Sequence, residues 1–472
     1  MTGVHQAYRY ALDLTPRQER AVLSHCGAAR VAYNWALARV KANLDQRTAE
    51  RTYSIGEDDL TPSPDWSLAG LRRMWNAAKD EVAPWWQENS KESYNTGLDG
   101  LARGLKNWSD SKRGKRAGRR VGFPRFRSRH RAALSVRFTT GTIRVEQDRH
   151  HLTLPRLGTL KTHESTRKLA RRVESGTARI LSATVRREGG RWFVSFTCEV
   201  QRTERKPADP AATVGVDLGI SHLAVCSQPV PGVTDGDGFV ANPRHLRKAQ
   251  KKLRRASRTV SRRQGPDRRS GQKASNRWKR ANARRNRVHH RVANLRRDGI
   301  HKLTSGLAAQ AGTVVAEDLN VSGMLSNRKL ARAIADAGFG EIRRQLDYKT
   351  RWAGGYLVVA DRWFASSKTC SDCGATKAKL PLRVRVFRCD KCGLILDRDV
   401  NAARNLATLA EEYSMGAGVA GNPEPTSGSK GRGADQKTYA SGQVAAKRSP
   451  RTASTRVRRG PSAGNGGLLE IH

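Results

Sequence analysis

Hydrophobic positions along the chain change period several times, and each change marks an element. Tyr8, Tyr10, Leu12 and Leu14 alternate with polar or small residues, which predicts an opening strand. A helix should follow, because Thr15 can cap it, Pro16 suits its first position and Gln18 completes a capping box. Val22, Cys26, Ala29, Tyr33 and Leu37 give that helix an apolar face. Residues 68–108 stay helical in pattern, broken at Pro84. Leu68, Leu71, Trp75 and Val82 mark one face, and Tyr94, Leu98, Leu101, Leu105 and Trp108 mark another. These aromatics read as packing residues. Residues 134–200 are β-rich: 134–138 and 191–197 alternate, the second behind a Gly189-Gly190 turn. A small barrel or sheet is expected there. If the opening strand joins it, the helical stretch between is an insertion.

Residues 202–212 read as a linker, followed by a buried-strand pattern over 213–227. Further strands are expected at 312–316 and 356–360, with a helix over 341–351 whose Ile342 and Leu346 face inward. A last helix should start near Asp399. Past residue 412 the chain is Gly-, Ser-, Ala-, Pro- and Lys/Arg-rich, which predicts a disordered basic tail.

Charge changes this picture most. In 472 residues, 89 Lys plus Arg stand against 42 Asp plus Glu, a net +47. Such a chain repels itself unless a polyanion neutralises it, and nucleic acid is the polyanion that fits. The charge is also concentrated. Residues 111–131 hold ten Lys or Arg and no acid, with Phe123 and Phe126 among them. Two readings stay open: a backbone groove that also stacks bases, with Arg125 and Arg127 as contacts, or a basic linker. Residues 244–302 hold 23 Lys or Arg and two acids. Gly265-Pro266 should divide them into a helical hairpin lying along phosphates, with Lys251, Lys252, Arg254 and Arg255 as candidate contacts. No stretch approaches 18 uninterrupted apolar residues, so no membrane helix is expected, and the N-terminus lacks a signal-peptide core. A cytoplasmic, nucleoid-associated protein is the expectation.

Candidate chemistry lies in four motifs. VGVDLGIS at 214–221 ends an apolar strand on Asp217. VVAEDLN at 314–320 ends another on two adjacent acids, Glu317 and Asp318, and strand register alone does not choose between them. DRDVNAARN at 397–405 offers Asp399 or Asp397 at a helix start, with Ala402 and Ala403 small enough for close packing. Three separated acids are the set that two-metal phosphodiester cleavage needs, with Mg²⁺ or Mn²⁺ as the suitable ions. The fourth motif is Cys370-x-x-Cys373 and, 15 residues on, Cys389-x-x-Cys392, with Gly374 and Gly393 behind the pairs. This is zinc-ribbon spacing, and four thiolates fill a tetrahedron, so the zinc would be structural. Seven cysteines in all, four of them clustered, argue for a metal site rather than disulfides.

Taken together, GVDLGIS at 215, AEDLNVSGM at 316, FGEIRRQLDYK at 339, SSKTCSDCG at 366 and DRDVNAARN at 397 closely resemble the TnpB (OrfB) family of insertion sequences, related to type V CRISPR effectors. The opening YALDLTPRQE with CGAARVAYNWAL looks like that family's N-terminal helix-turn-helix. The resemblance spans roughly residues 7–410. It implies an α/β fold: a RuvC-like (RNase H-like) nuclease domain over 213–369 and 393–412, a zinc-ribbon insertion at 370–392, and a β-barrel (wedge) with an inserted helical recognition region over 1–212. The tail is 413–472. It implies Asp217, Glu317 and Asp399 as the metal-binding triad, choosing Glu317 over Asp318 and Asp399 over Asp397. It implies an RNA-guided DNA endonuclease that binds a guide RNA from the transposon end and cuts double-stranded DNA beside a short adjacent motif. Phe364-Ala365-Ser366 departs from the family, which usually has Pro before the Ser. A strand-transfer transposase and a non-enzymatic zinc-ribbon regulator are the alternative readings.

Overall fold

The computed structural model describes residues 2–116, 118–129, 132–202, 206–267, 269–381 and 383–416, with side chains to residue 410. The expected disordered tail at 413–472 lies almost wholly outside the described residues.

The first half runs β1 (Thr2–Asp13), α1 (Pro16–Thr52), α2 (Leu68–Val82), α3 (Lys91–Lys112), β2 (Ser135–Phe138), β3 (Arg144–Val145), β4 (His151–Leu154), β5 (Gly158–Thr162), α4 (Arg167–Glu174), β6 (Ala178–Glu188) and β7 (Arg191–Arg202). Its strands form one seven-stranded sheet in the order β2-β6-β7-β1-β5-β4-β3. Outer strands β2 and β3 do not pair, so by hydrogen bonding this is an open sheet rather than a closed barrel. β1 pairs antiparallel with β7, and α1–α3 are inserted between β1 and β2. Alternation does the packing: Trp192, Val194, Phe196, Cys198 and Val200 of β7 all turn into one core with Tyr10 and Leu12.

α1 begins with the capping box read from the sequence, Thr15 and Gln18 bonding each other's backbones. It is a single helix that serves two cores. Val22 and Cys26 pack on the sheet, whereas Ala28, Ala32, Ala36, Leu37 and Val40 pack on α2 and α3. The aromatics there are structural: Trp75 stacks on Tyr94 with centroids 5.0 Å apart.

The second half runs β8 (Asp209–Asp217), β9 (His222–Cys226), β10 (Phe239–Ala241), α5 (His245–Ser261), α6 (Asn276–Gln310), β11 (Ala311–Glu317), α7 (Val321–Ser326), α8 (Ala331–Ala337), α9 (Phe339–Trp352), β12 (Tyr356–Ala360), β13 (Val386–Arg388), β14 (Ile395–Asp397) and α10 (Arg398–Gly416). Five strands form a mixed sheet, β10-β9-β8-β11-β12, in which β8, β11 and β12 are parallel and β9 and β10 antiparallel.

Two expectations change here. The linker at 202–212 is shorter, because β8 already begins at Asp209 and pairs with Ala311. Pro210 is tolerated in that strand because the β8–β11 register shifts beside it and Gly312 lets the backbones close, a Cβ there lying 1.9 Å from the Pro210 carbonyl oxygen. The apolar run 213–227 is two strands, β8 and β9, turning back at 218–221.

Candidate functional site: three carboxylates and four thiols

β8 and β11 are parallel neighbours, with Val315 beside Gly215 and Ala316 beside Val216. That register carries Asp217 and Glu317, the last residue of each strand, side by side. Side chains alternate along a strand, so Asp217 shares a face with Gly215 and Glu317 shares that face with Val315. This is the face that α10 covers. A Cβ on Gly215 would lie 2.0 Å from the Ala403 carbonyl oxygen and 2.6 Å from the Ala407 nitrogen. Val315 packs with Ala360, Leu406 and Ala410. Val214, Val216 and Val314 point the other way, into a core made with α6 and α9. Asp399, in the first turn of α10, is thereby brought over the ends of β8 and β11.

The electrostatics agree with this assembly. Burial, then the neighbouring Glu317 and Asp399 carboxylates, push Asp217 up to about 8, partly relieved by Arg398. Asp399 is flanked by Arg398 Nη2 at 3.4 Å and Arg385 Nη1 at 3.5 Å. Glu317 Oε1 accepts a 2.7 Å hydrogen bond from the buried Ser366 hydroxyl.

The adjacent acids have other partners. Asp318 points to the opposite face, where Arg343 of α9 and Arg362 pair with it. Against the cost of burial, those hydrogen bonds hold it below the usual carboxylate range. Asp397 caps α10, accepting from the backbone nitrogens of Asp399 at 2.8 Å and Val400 at 3.3 Å.

Beside the acids, all four Cys370, Cys373, Cys389 and Cys392 sulfurs lie within 4.8 Å of one another; among the described residues the three acids do not close to that spacing. Cys370–Cys392 and Cys373–Cys389 are 3.6 and 3.5 Å apart. A tetrahedron with metal–sulfur bonds of about 2.3 Å has edges of about 3.8 Å, so the thiols fit a metal such as zinc. Gly374 and Gly393 take φ of +71° and +77°, the left-handed turn each knuckle needs. Backbone N–H groups of Cys392 and Lys391 pull the Cys389 thiol down to about 6. Phe387 and Leu380 give the module a small core.

Two residues that spacing did not single out join the two sites. Asn401 Nδ2 donates to the Thr369 carbonyl at 2.7 Å, and its Oδ1 accepts from Ser371 N at 2.9 Å. Asn405 Nδ2 donates to the carbonyls of Ser366 and Thr369, both at 2.7 Å. The i, i+4 asparagines in DRDVNAARN were the available signal, since they share one helix face. Ala365, where the family usually has Pro, leaves its turn intact: its carbonyl accepts from Lys368 N at 2.9 Å and Thr369 N at 3.1 Å.

The candidate basic contacts divide. Lys251, Lys252, Arg254 and Arg255 are exposed on α5. Lys252 and Arg255 edge a groove of about 850 Å³ between α5 and α6, with Lys248, Arg284, Arg287 and Arg291. Arg125 is exposed, but Arg127 is not free for phosphate. Its guanidinium lies 3.7 Å over the Tyr33 ring, its backbone bonds Asn34 twice, and burial lowers its pKa. Phe123 packs edge-on against Trp108, and Phe126 is exposed. The stretch around 121–127 is therefore docked on α1 and α3 rather than a free linker.

Fold and site define a strongly basic mixed α/β protein, with an acidic centre on one sheet face and a four-thiol cluster of metal-binding geometry beside it. Residues 195–328 match a family profile described as "Probable transposase", residues 339–406 one described as "Cas12f1-like, TNB domain", and residues 1–48 one described as "Helix-turn-helix domain". That last stretch is here β1 followed by the single helix α1. The chain is 40% identical over 451 residues to "Putative RNA-guided DNA endonuclease Rv2885c" of Mycobacterium tuberculosis, covering 92% of this chain and 91% of the relative. It is 36% identical to a "Putative RNA-guided DNA endonuclease" of Streptomyces pristinaespiralis, covering 92% and 96%. A solved Cas12f1–sgRNA–target DNA complex matches at 14% identity and TM-score 0.46, over 86% of this chain and 99% of that one. The chain belongs to the TnpB (OrfB) family of insertion-sequence-encoded RNA-guided nucleases, related to type V CRISPR effectors.

Proposed function

We propose that the chain is a transposon-encoded, RNA-guided DNA endonuclease whose RuvC-like centre is Asp217, Glu317 and Asp399. The observation that carries the reading is the parallel β8–β11 register that sets Asp217 and Glu317 at adjacent strand ends, with Glu317 and Asp399 both close enough to raise Asp217, in a chain 40% identical to a relative bearing that endonuclease name. Guide RNA and target DNA are its partners. Net charge of +47 suits holding two backbones while base pairing reads the sequence.

The donor chemistry of the two sets suits two kinds of ion, and among the described residues only the thiols already stand at ligand spacing. Mutually repelling carboxylates, one held at about 8, call for hard divalent cations such as Mg²⁺ or Mn²⁺, whose role when bound is to activate water and stabilise the leaving oxygen. Asp217, Glu317 and Asp399 would hold them. Ser366 orients Glu317, and Arg385 and Arg398 hold Asp399 and offset its charge. Cys370, Cys373, Cys389 and Cys392 would hold Zn²⁺ in a structural, ribbon-type insertion. The domain assignment follows: wedge and recognition region over 1–212, nuclease domain from 213 with the ribbon at 370–392. Among the described residues no helix is long and apolar enough to cross a membrane, and the proposed workplace is the cytoplasm at the nucleoid.

The test is to sequence the RNA that co-purifies with the protein, then assay cleavage of matching supercoiled DNA with Mg²⁺. A discrete RNA, guide-dependent cutting, and loss of cutting with retained RNA in Asp217→Asn are expected. Protein free of RNA that still cuts DNA normally overturns the guided reading. Joined transposon–target product from this protein alone would favour strand transfer, the activity suggested by the "Probable transposase" description.

A further inference from the structure

Trp363 is 85% exposed, more than any other large apolar side chain among the described residues. Its neighbours are the opposite. Arg362 is tied to Asp318, its Nη2 2.5 Å from Oδ2 and its Nε bonded to the carbonyl at 3.4 Å. Phe364 packs against the Val315–Ala360–Leu406 cluster beneath α10. The backbone nitrogens of Trp363 and Phe364 donate to the Asp361 side chain at 2.8 Å and its carbonyl at 3.1 Å. Ser366, three residues on, bonds Glu317. The indole is thus held out into solvent by a turn pinned on both sides, and both pins lead to the strand end that carries Glu317. An apolar ring fixed outward in this way contributes nothing to either core.

Resting on the nuclease reading above, we propose that Trp363 is a stacking platform for an unpaired base of the DNA strand entering the acidic centre. A duplex keeps its bases stacked within itself, so only a single-stranded nucleotide can present a free face to an indole. An exposed ring on a turn tied to the Glu317 strand end can hold that strand's register through a contact every base can make, which suits an enzyme whose sequence choice is made by pairing.

The test uses the RNA-loaded protein and matching DNA carrying 2-aminopurine at successive positions around the cut. One or two positions should be quenched with the wild-type chain and with Trp363→Phe, and become several-fold brighter with Trp363→Ala. Single-turnover cleavage should fall about tenfold or more in Trp363→Ala and recover in Trp363→Phe. Guide-dependent target binding and melting temperature should not change. An unaltered fluorescence pattern in Trp363→Ala overturns the proposal, as does a matching loss of guide or target binding, which marks a structural role. The two readings fail separately. Quenching without wild-type cleavage removes the nuclease assignment and leaves the platform, whereas cleavage without quenching removes the platform alone.

Discussion

Ser366 donates its hydroxyl to Glu317 at 2.7 Å while Asn405 of α10 holds the Ser366 carbonyl at 2.7 Å. The helix that carries Asp399 therefore also sets the orientation of Glu317. Removing the hydroxyl leaves the Glu317 carboxylate without that anchor. Ser366→Ala should weaken Mn²⁺ binding, read by electron paramagnetic resonance, and slow guided cleavage, each by about tenfold. Unchanged Mn²⁺ affinity would show that Glu317 needs no such support.

Gly215 lies where α10 meets β8. Any Cβ there drives into the Ala403 carbonyl oxygen at 2.0 Å, a backbone atom that cannot swing aside. Gly215→Ala should destabilise the fold by about 1–3 kcal/mol and depress cleavage by lifting Asp399 from the other acids. Thermal unfolding and single-turnover rates measure the two effects.

His25 is buried and bonded on both ring nitrogens. Nδ1 bonds the Ala21 carbonyl at 2.8 Å and Nε2 accepts from Ser90 N at 3.2 Å, an arrangement only the neutral ring satisfies. Burial lowers its pKa below the ordinary value of 6.5. The folded chain then binds fewer protons at this ring than the unfolded chain as pH drops below 6.5, so stability is lost on acidification through that window. Melting temperature should fall between pH 7.5 and pH 5, and by less in His25→Gln. Equal pH slopes in the two proteins would refute this.

Cys26, Cys198 and Cys226 are buried, and desolvation pushes their thiols up to about 12, 11 and 12. Thiols that stay protonated inside the two main cores are poor and inaccessible nucleophiles, whereas Cys392, raised as well, is exposed. After zinc chelation in the folded protein, iodoacetamide should modify Cys370, Cys373, Cys389 and Cys392 and spare these three, as counted by mass spectrometry. Before chelation the four should be protected too.

Arg125 and Arg127 should part company. Arg125→Ala should weaken RNA or DNA binding and reduce the salt slope by about 1, as for a lost phosphate contact. Arg127→Ala should instead lower the melting temperature, since it removes a ring contact with Tyr33 and leaves the slope unchanged.

The sequence by itself determined whatever depends on near neighbours. Knuckle spacing brought four sulfurs together with their left-handed glycines, the Thr15–Gln18 box began α1, and apolar strands ended on Asp217 and on the Glu317–Asp318 pair. Resemblance then named Glu317 and Asp399. Tertiary structure decided which side of a sheet each acid faces. That depends on β8 and β11 being parallel and in register across all of α5 and α6, a distance over which no local period carries information. Asp318 is turned to Arg343, and Asp397 is used as a cap, by that same packing. Arg127 reads as a free cation because charge is visible in sequence, but the Tyr33 ring that covers it comes from a distant helix. Even the three acids that the motifs offered are separate strand and helix ends until α10 packs against Gly215 and brings Asp399 to the face that carries Asp217 and Glu317.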